Sequence, residues 1–139
     1  MRNGLNLSSH QSCGITVLRV VVGIVFLAHG WQKLFTLGIH GVAGFFAGVG
    51  IPLPLVAAVI VTLVEFLGGI ALIVGLLTRW AAALNGFDMV VAILLVHFKN
   101  GFLKPGGIEH PLTLLGACVA LVLLGPGSLS VDGALARRE

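Results

Sequence analysis

The chain has 139 residues, of which 58% are hydrophobic and 9% are charged, and its mean hydropathy is +1.10. Soluble domains carry about 25% charged residues, and a protein this small has too much surface for so few charges to cover. The composition therefore excludes soluble, disordered and coiled-coil proteins and predicts an integral membrane protein whose main partner is the lipid bilayer. The net charge of +3 is scattered without a basic run, so we expect no nucleic-acid partner.

Four apolar segments predict an all-α fold, an integral membrane four-helix bundle that forms one domain over residues 1–139. They cover about residues 15–37, 53–76, 80–98 and 108–124. A spanning helix needs about 20 apolar residues, a length that the first three segments reach and the fourth does not. A membrane β-barrel is disfavoured because its alternating pattern is absent, which leaves helices as the structure that satisfies the backbone in lipid.

The start of the chain has some features of a secretory signal peptide, with a polar leader (Met1–Gly14) before an apolar run. Arg19 interrupts that run, and Lys33 follows soon after a weak cleavage candidate. We therefore expect the first segment to be retained as a helix of the protein.

The connections between the segments carry turn and loop signals. Pro52 and Pro54 mark a turn at the start of the second helix, and Lys99–Pro111 is a polar loop. Thr78 is predicted to cap the third helix. The stretch 38–50 is apolar but too short to span a bilayer, and we expect a re-entrant or interfacial piece there.

The 20 glycines indicate close helix packing rather than chemistry, because small residues let helix backbones approach each other in membranes. Cys118, inside the fourth segment, is likewise predicted to be an apolar packing residue. The glycines expected at such contacts are Gly23, Gly30, Gly68, Gly69, Gly75 and Gly116.

The basic residues predict the orientation of the bundle. With four spans, both termini and the second connection lie on one side of the membrane. That side would hold Arg2, Arg79, Arg137 and Arg138, and the other side Lys33, Lys99 and Lys104. The positive-inside rule then predicts cytoplasmic termini in a multi-pass protein of the inner membrane.

Five ionisable residues fall inside the predicted spans: Arg19, His29, Lys33, Glu65 and Asp88. A charge at the centre of a spanning helix costs about 2.5–3.5 kcal/mol, so such side chains face the bundle interior, pair or line a cavity. At about 100° per residue, His29 and Lys33 share one side of the first helix with Arg19. We predict that Arg19 pairs with Glu65 or Asp88 and that the five residues form a polar ligand-binding pocket.

Other interpretations of these residues stay open. The ion pairs could serve only to fix the register of the helices, or Arg19 and Lys33 could extend to a membrane interface. A haem site needs two histidines that face the bundle interior, and it stays open because His29 and His97 lie toward the same side of the membrane. His97 is predicted on the face of its helix opposite Asp88. The histidine spacing predicts no metal site, and no catalytic motif is recognisable.

The order of several motifs resembles the DoxX family of small bacterial membrane proteins, over nearly the whole chain. The matching pieces are Arg19 in the first segment, Phe26–Leu34 (FLAHGWQKL), Gly50–Pro54 (GIPLP), Glu65–Gly69 (EFLGG), Gly75–Arg79 (GLLTR) and a closing Ser-x-Asp within Ser128–Asp132. The resemblance implies a four-helix membrane bundle. It also implies an association with membrane redox systems, including thiosulfate oxidation linked to quinone.

From the resemblance and the polar residues we expect a small membrane component of a redox or quinone-linked system, whose pocket binds a quinone-like or other amphipathic ligand. No electron-carrying motif is visible, so turnover would need a redox partner protein. The protein could be an enzyme or an accessory subunit of one, and it could form a homo-oligomer. The alternative is a non-catalytic scaffold that recruits a partner subunit, with purely structural charges. A proton-coupled transporter using Glu65 and Asp88 is disfavoured because inverted repeats are not evident.

Overall fold

The computed structural model describes residues 8–138, and most of them are helical. The α-helices in this range are α1 (Ser9–Trp31), α2 (Gly38–Gly48), α3 (Pro54–Val74), α4 (Thr78–Ala92), α5 (Glu109–Leu124) and α6 (Val131–Ala136). A first π-helical segment (Gln32–Leu37) continues α1, and a second (Ile93–His97) continues α4 into a 3₁₀ turn at Phe98–Asn100. The predicted all-α class is confirmed, and no strand occurs between residues 8 and 138.

Three helical stretches are long and apolar enough to cross a membrane, namely Ser9–Gly48, Pro54–Val74 and Thr78–Asn100, and Glu109–Leu124 is a shorter apolar helix. Large apolar side chains such as Trp80 and Phe87 are mostly exposed on the outside of the bundle. In water such a surface would be costly, whereas in a bilayer it contacts lipid. The predicted membrane bundle therefore consists of α1, α3, α4 and α5.

Helix α1 begins earlier than the sequence pattern predicted. The Ser8 hydroxyl accepts a hydrogen bond from the Gln11 backbone N–H, and the Gln11 side chain accepts one from the Ser8 N–H. This capping box satisfies two of the free N–H groups at the helix start. The predicted start near residue 15 was wrong because it followed hydrophobicity, whereas the first turns of α1 are polar.

Glycines allow α1 and α3 to cross at very short range. A Cβ atom added at Gly30 would lie 2.5 Å from the backbone nitrogen of Phe66, and one added at Gly23 would lie 2.9 Å from the backbone oxygen of Gly69. Any larger residue at these positions would push the two helices apart. Close packing is confirmed at Gly23, Gly30, Gly68 and Gly69, and it is wrong at Gly116, which has no neighbour within 4 Å of an added Cβ.

The chain changes direction at Gly38, where φ is 73°, and α2 folds back against the first half of α3. Val42 and Phe46 of α2 are buried against Ala58 of α3. The 11 residues of α2 are too few to cross a bilayer, in agreement with the predicted short piece. As a result, α2 lies beside the beginning of α3 and forms part of one end of the bundle.

A second apolar core holds α1, α3, α4 and α5 together. Phe26, Leu72, Cys118 and Leu121 are almost completely buried in it, which confirms the packing role predicted for Cys118. Because α3 and α5 run opposite to α1 and α4, one end of the bundle collects the start of α1, the turn at Gly75 and residues 125–136. We call this the C-terminal end.

Candidate functional site in the membrane bundle

Arg19 is buried at the C-terminal end, and backbone carbonyl oxygens accept all of its hydrogen bonds. Its Nε donates to Pro126 (2.9 Å), its Nη1 to Leu72 (2.7 Å) and Ile73 (2.9 Å), and its Nη2 to Leu129. The carbonyls of Leu72 and Ile73 end α3, where unpaired C=O groups and the helix dipole favour a cation. Arg19 thereby ties α1 to the end of α3 and to the segment after α5.

The predicted pairing of Arg19 with Glu65 or Asp88 is wrong. Glu65 lies seven residues before Leu72 in α3, which is about 10 Å along the helix axis at about 1.5 Å per residue. Arg19 also does not line the cavity described below. The prediction matched charge with charge, whereas the guanidinium found its acceptors among the carbonyls that a helix end leaves free.

Asp132, the last residue of the Ser-x-Asp motif, caps α4 from across the bundle. Its carboxylate accepts hydrogen bonds from the backbone N–H groups of Leu77 (2.7 Å) and Thr78 (2.9 Å), and its own N–H donates to the Gly75 carbonyl (2.9 Å). The prediction that Thr78 caps this helix is wrong, since its hydroxyl is buried without a partner. The motif thus closes the C-terminal end of the bundle.

At the other end of the membrane bundle, Lys33 and Glu65 form an ion pair with 2.5 Å between Nζ and Oε2. Lys33 lies in the first π-helical segment and Glu65 in the middle of α3, where its side chain is only 5% exposed. Asp88 of α4 lies beside Glu65 and within electrostatic range of Lys33. Asp88 is 9% exposed, and its Oδ2 atom has no hydrogen-bond partner. Two acidic groups therefore lie near one lysine, which pairs with Glu65.

These side chains line a cavity of about 260 Å³ between the helices. Four of the five predicted site residues line it together, namely His29, Lys33, Glu65 and Asp88. We call the part of the bundle that contains the cavity the cavity end. The rest of the lining is mainly apolar and includes Phe26, Phe45, Phe46, Ile51, Val61, Met89, Val96 and Leu114.

Two further histidines, His97 and His110, also line the cavity, and the sequence analysis did not assign them to the site. His97 was expected on the side of its helix opposite Asp88, but the wider π-helical turn changes the direction of the side chains that follow it. The Nδ1 atom of His97 lies 2.6 Å from the Gly106 carbonyl oxygen. The ring centroids of His110 and His29 are 5.5 Å apart. A regular 100° periodicity contains no signal for either placement.

The family model described as DoxX matches residues 14–98. The chain belongs to the DoxX family. The matched part of this DoxX protein reaches from α1 to the 3₁₀ turn after α4, so it contains Arg19 and the four predicted site residues that line the cavity. His110 and the Ser-x-Asp motif lie beyond it.

Several relatives are similar to this DoxX protein over most of their length. The "Putative oxidoreductase CatD" of Bacillus subtilis is 34% identical over 119 residues, which cover 86% of this chain and 84% of the relative. The inner membrane protein YqjF of Escherichia coli is 32% identical over 133 residues, covering 92% and 96%. The inner membrane protein YphA of the same organism is 27% identical over 124 residues, covering 85% and 87%. No solved structure matches the chain.

Proposed function

We propose that this DoxX protein is a small inner-membrane component of a quinone-linked redox system, and that its cavity binds the head group of a quinone-like amphipathic molecule. The observation that carries the proposal is the contrast between the apolar walls of the cavity and its floor, where Lys33, Glu65 and Asp88 meet. Ionisable groups at membrane depth are costly and usually mark a ligand or ion site. The name of the Bacillus subtilis relative supports a redox role.

The size of the cavity suits a ring-sized head group. Its volume of about 260 Å³ is slightly below the 300–1,000 Å³ range that holds a complete drug-sized ligand. The lining also includes Phe45, which is 55% exposed on the outer surface. A ligand with a long apolar tail would therefore place its head on the cavity floor and its tail along the lipid-facing surface near α2.

The lining residues fit a quinone head chemically. The Lys33 ammonium can donate a hydrogen bond to a ring oxygen and stabilise negative charge that develops there. Phe26 and Phe46 provide apolar walls for the ring. A bound quinone would supply the electron-carrying chemistry, and the residues of this chain would bind it, orient it and hold protons near it. Electrons would be exchanged with a redox partner protein.

A non-catalytic scaffold is the second candidate, and Arg19 is the observation in its favour. Every hydrogen bond that Arg19 makes joins pieces of the bundle, so its charge has a purely structural explanation. The same explanation does not extend to Asp88, because its free Oδ2 atom joins nothing. We therefore exclude Arg19 from the proposed ligand site and keep the cavity residues in it.

Binding of a decyl-substituted benzoquinone to the protein in phosphatidylcholine nanodiscs tests the proposal. We expect saturable binding that becomes at least about tenfold weaker in Lys33→Met, which corresponds to about 1.4 kcal/mol. Lys104→Met is the matched control, since Lys104 is exposed in the loop between α4 and α5 and does not line the cavity. The proposal fails if the unmodified protein shows no saturable binding, or if both variants behave alike.

Reversal of the ion pair separates the two candidates. The double variant Lys33→Glu/Glu65→Lys keeps opposite charges at the same two positions. A ligand site should lose its quinone in this variant even when the bundle stays folded, because the cation and the anion have exchanged places. Retained stability and retained quinone binding would show that the two charges do not recognise the ligand and are structural, as the scaffold candidate requires.

We also propose that the C-terminal end faces the cytoplasm. Arg79, Arg137 and Arg138 all lie at this end and are exposed, in line with the positive-inside rule, and Arg2 lies outside the described residues. A green fluorescent protein fused after residue 139 should then be fluorescent, and alkaline phosphatase fused there should be inactive. The reverse pattern would overturn this orientation.

A further inference from the structure

Asp88 is the acidic group in the cavity to which no N–H group of the described residues donates a hydrogen bond. Glu65 gives its Oε2 atom to the Lys33 ammonium, whereas the Oδ2 atom of Asp88 has no partner although its side chain is more than nine-tenths buried. A buried acceptor without a donor costs about 1–3 kcal/mol. Asp88 also lines the cavity, so its carboxylate is an acceptor that a molecule in this space would meet.

We infer that Asp88 accepts a hydrogen bond from a hydroxyl group of the ligand, and that the cavity prefers aromatic alcohols, including the hydroquinone form of a quinone, over the quinone itself. This inference rests on the proposed function, because it names the form of the ligand that the same site holds. An ionised carboxylate only accepts hydrogen bonds. A quinone carbonyl also only accepts, so it leaves Asp88 unsatisfied.

The protonation of the acid pair does not change this assignment. If Glu65 and Asp88 are both ionised, both oxygens of Asp88 are acceptors. If one proton is shared between the two neighbouring carboxyl groups, the oxygen of Asp88 that faces away from Glu65 still accepts. In either state Asp88 keeps at least one oxygen that receives no hydrogen bond from the described residues, and a ligand hydroxyl provides one.

Lys33 completes the recognition of a hydroxyl group. A hydroxyl donates one hydrogen bond and can accept others, so a single oxygen could donate to Asp88 and accept from the Lys33 ammonium. The ammonium has three hydrogens, of which the contact with Glu65 uses one. Asp88 and Lys33 both line the cavity, and they face it from α4 and from the first π-helical segment.

The other groups around the cavity bear on whether its ligand is a cation or an aromatic alcohol. Lys33 already places one positive charge on the floor, and His29, His97 and His110 line the same space. A ligand ammonium would be repelled by Lys33 and attracted by Glu65 and Asp88, so the comparison with an ammonium ligand of the same tail separates a cation site from an alcohol site. The phenylalanine walls suit a flat ring. An aromatic alcohol therefore fits both the floor and the walls.

The test compares three ligands with the same decyl tail in phosphatidylcholine nanodiscs under anaerobic conditions: decyl-hydroquinone, decyl-benzoquinone and decylammonium. Dissociation constants are measured by titration calorimetry. We expect the hydroquinone to bind at least about tenfold more tightly than the quinone, as one charge-assisted hydrogen bond would give.

Variants assign the preference to Asp88. In Asp88→Leu we expect hydroquinone binding to weaken about tenfold and quinone binding to change less than about threefold. Asp88→Asn has nearly the same shape and serves if the leucine variant does not fold; its neutral oxygen is a weaker acceptor, so the preference should fall in this variant as well. Thr62→Val is the control, since Thr62 is buried in α3 one turn from Glu65 but does not line the cavity.

The outcomes separate this inference from the proposed function. Equal binding of hydroquinone and quinone, or an unchanged preference in the Asp88 variants, overturns the inference and leaves the quinone site standing. Tightest binding of decylammonium overturns it in favour of a cation site. Absence of binding by both ring compounds removes the proposed function, and the inference with it.

Discussion

The two ends of the bundle use basic residues of α1 and its π-helical continuation in opposite ways. At the C-terminal end, Arg19 has backbone acceptors for all its hydrogen bonds, and Asp132 caps α4. At the cavity end, Lys33 pairs with Glu65, and the neighbouring Asp88 lines the cavity with one carboxyl oxygen that has no hydrogen-bond partner. At the C-terminal end the polar groups of Arg19 and Asp132 have hydrogen-bond partners within the protein and join its helices. At the cavity end the polar site is incomplete.

The chemistry of the two basic side chains explains this division. The planar guanidinium of Arg19 has five N–H donors in a fixed geometry and can bind several carbonyls at once. The Lys33 ammonium is a compact charge on a flexible stem, which suits contact with Glu65 and leaves donors for a further partner. A charge in a membrane helix thus does not indicate function by its presence, but by whether its neighbours already satisfy it.

The backbone differs between the two ends as well. The C-terminal end is built from regular helix ends and a glycine turn, whereas both π-helical segments lie at the cavity end. π-Helical turns are rare and often occur at functional sites, because they widen the helix and redirect side chains. Here the first contains Lys33 and the second contains His97, and both residues line the cavity.

The largest effect on stability should come from removing the hydrogen bonds of Arg19 at the C-terminal end. Arg19→Leu removes the donor from four backbone carbonyls, and at about 1–3 kcal/mol for each stranded group, with some relaxation, we expect a loss of about 3–5 kcal/mol in the free energy of unfolding. Denaturant titration in detergent micelles measures it. Arg79→Leu, an exposed arginine at the same end, should change stability by less than about 0.5 kcal/mol. A loss below about 1 kcal/mol for Arg19→Leu would contradict the claim that Arg19 holds the C-terminal end together.

An intermediate effect should follow from a change in helix spacing at the cavity end. Gly30→Ala places a methyl group against the backbone of Phe66, and such overpacking costs about 1–3 kcal/mol. The same substitution at Gly116, which has free space around it, should stabilise helix α5 by about 0.5–1 kcal/mol. The pair is measured by the same titration. Equal effects at both positions would show that the stability of the bundle does not depend on the close approach of α1 and α3.

The smallest of the three effects should come from removing the cap on α4. Asp132→Ala leaves the N–H groups of Leu77 and Thr78 without their acceptor, and loss of a helix cap costs about 1 kcal/mol. Hydrogen exchange at these two amides should become faster, while exchange in α3 stays slow. Ser128→Ala is the control, since Ser128 is exposed in the same segment. Unchanged exchange at Leu77 and Thr78 would refute the capping role.

Only some of the cavity residues could be predicted from the sequence. His29, Lys33, Glu65 and Asp88 could be assigned to one interior site because each is too costly to expose to lipid and helical periodicity aligns them. His97 and His110 could not, since one depends on a π-helical turn and the other on how the loop before α5 folds. The acceptors of Arg19 could not be predicted either, because every residue has a backbone carbonyl and the sequence does not show which of them lack a partner.

The sequence by itself determined that this protein is a bundle of helices in a membrane and that the charges within its spans face inward. Its composition requires a lipid environment, and lipid makes the exposure of a charge costly. Only the tertiary structure decided which charges meet. That choice depends on distances of a few ångströms between helices, on helix ends that offer free carbonyls and on wide turns that redirect side chains. These features arise from packing between segments far apart in the chain, so no local pattern of residues contains them.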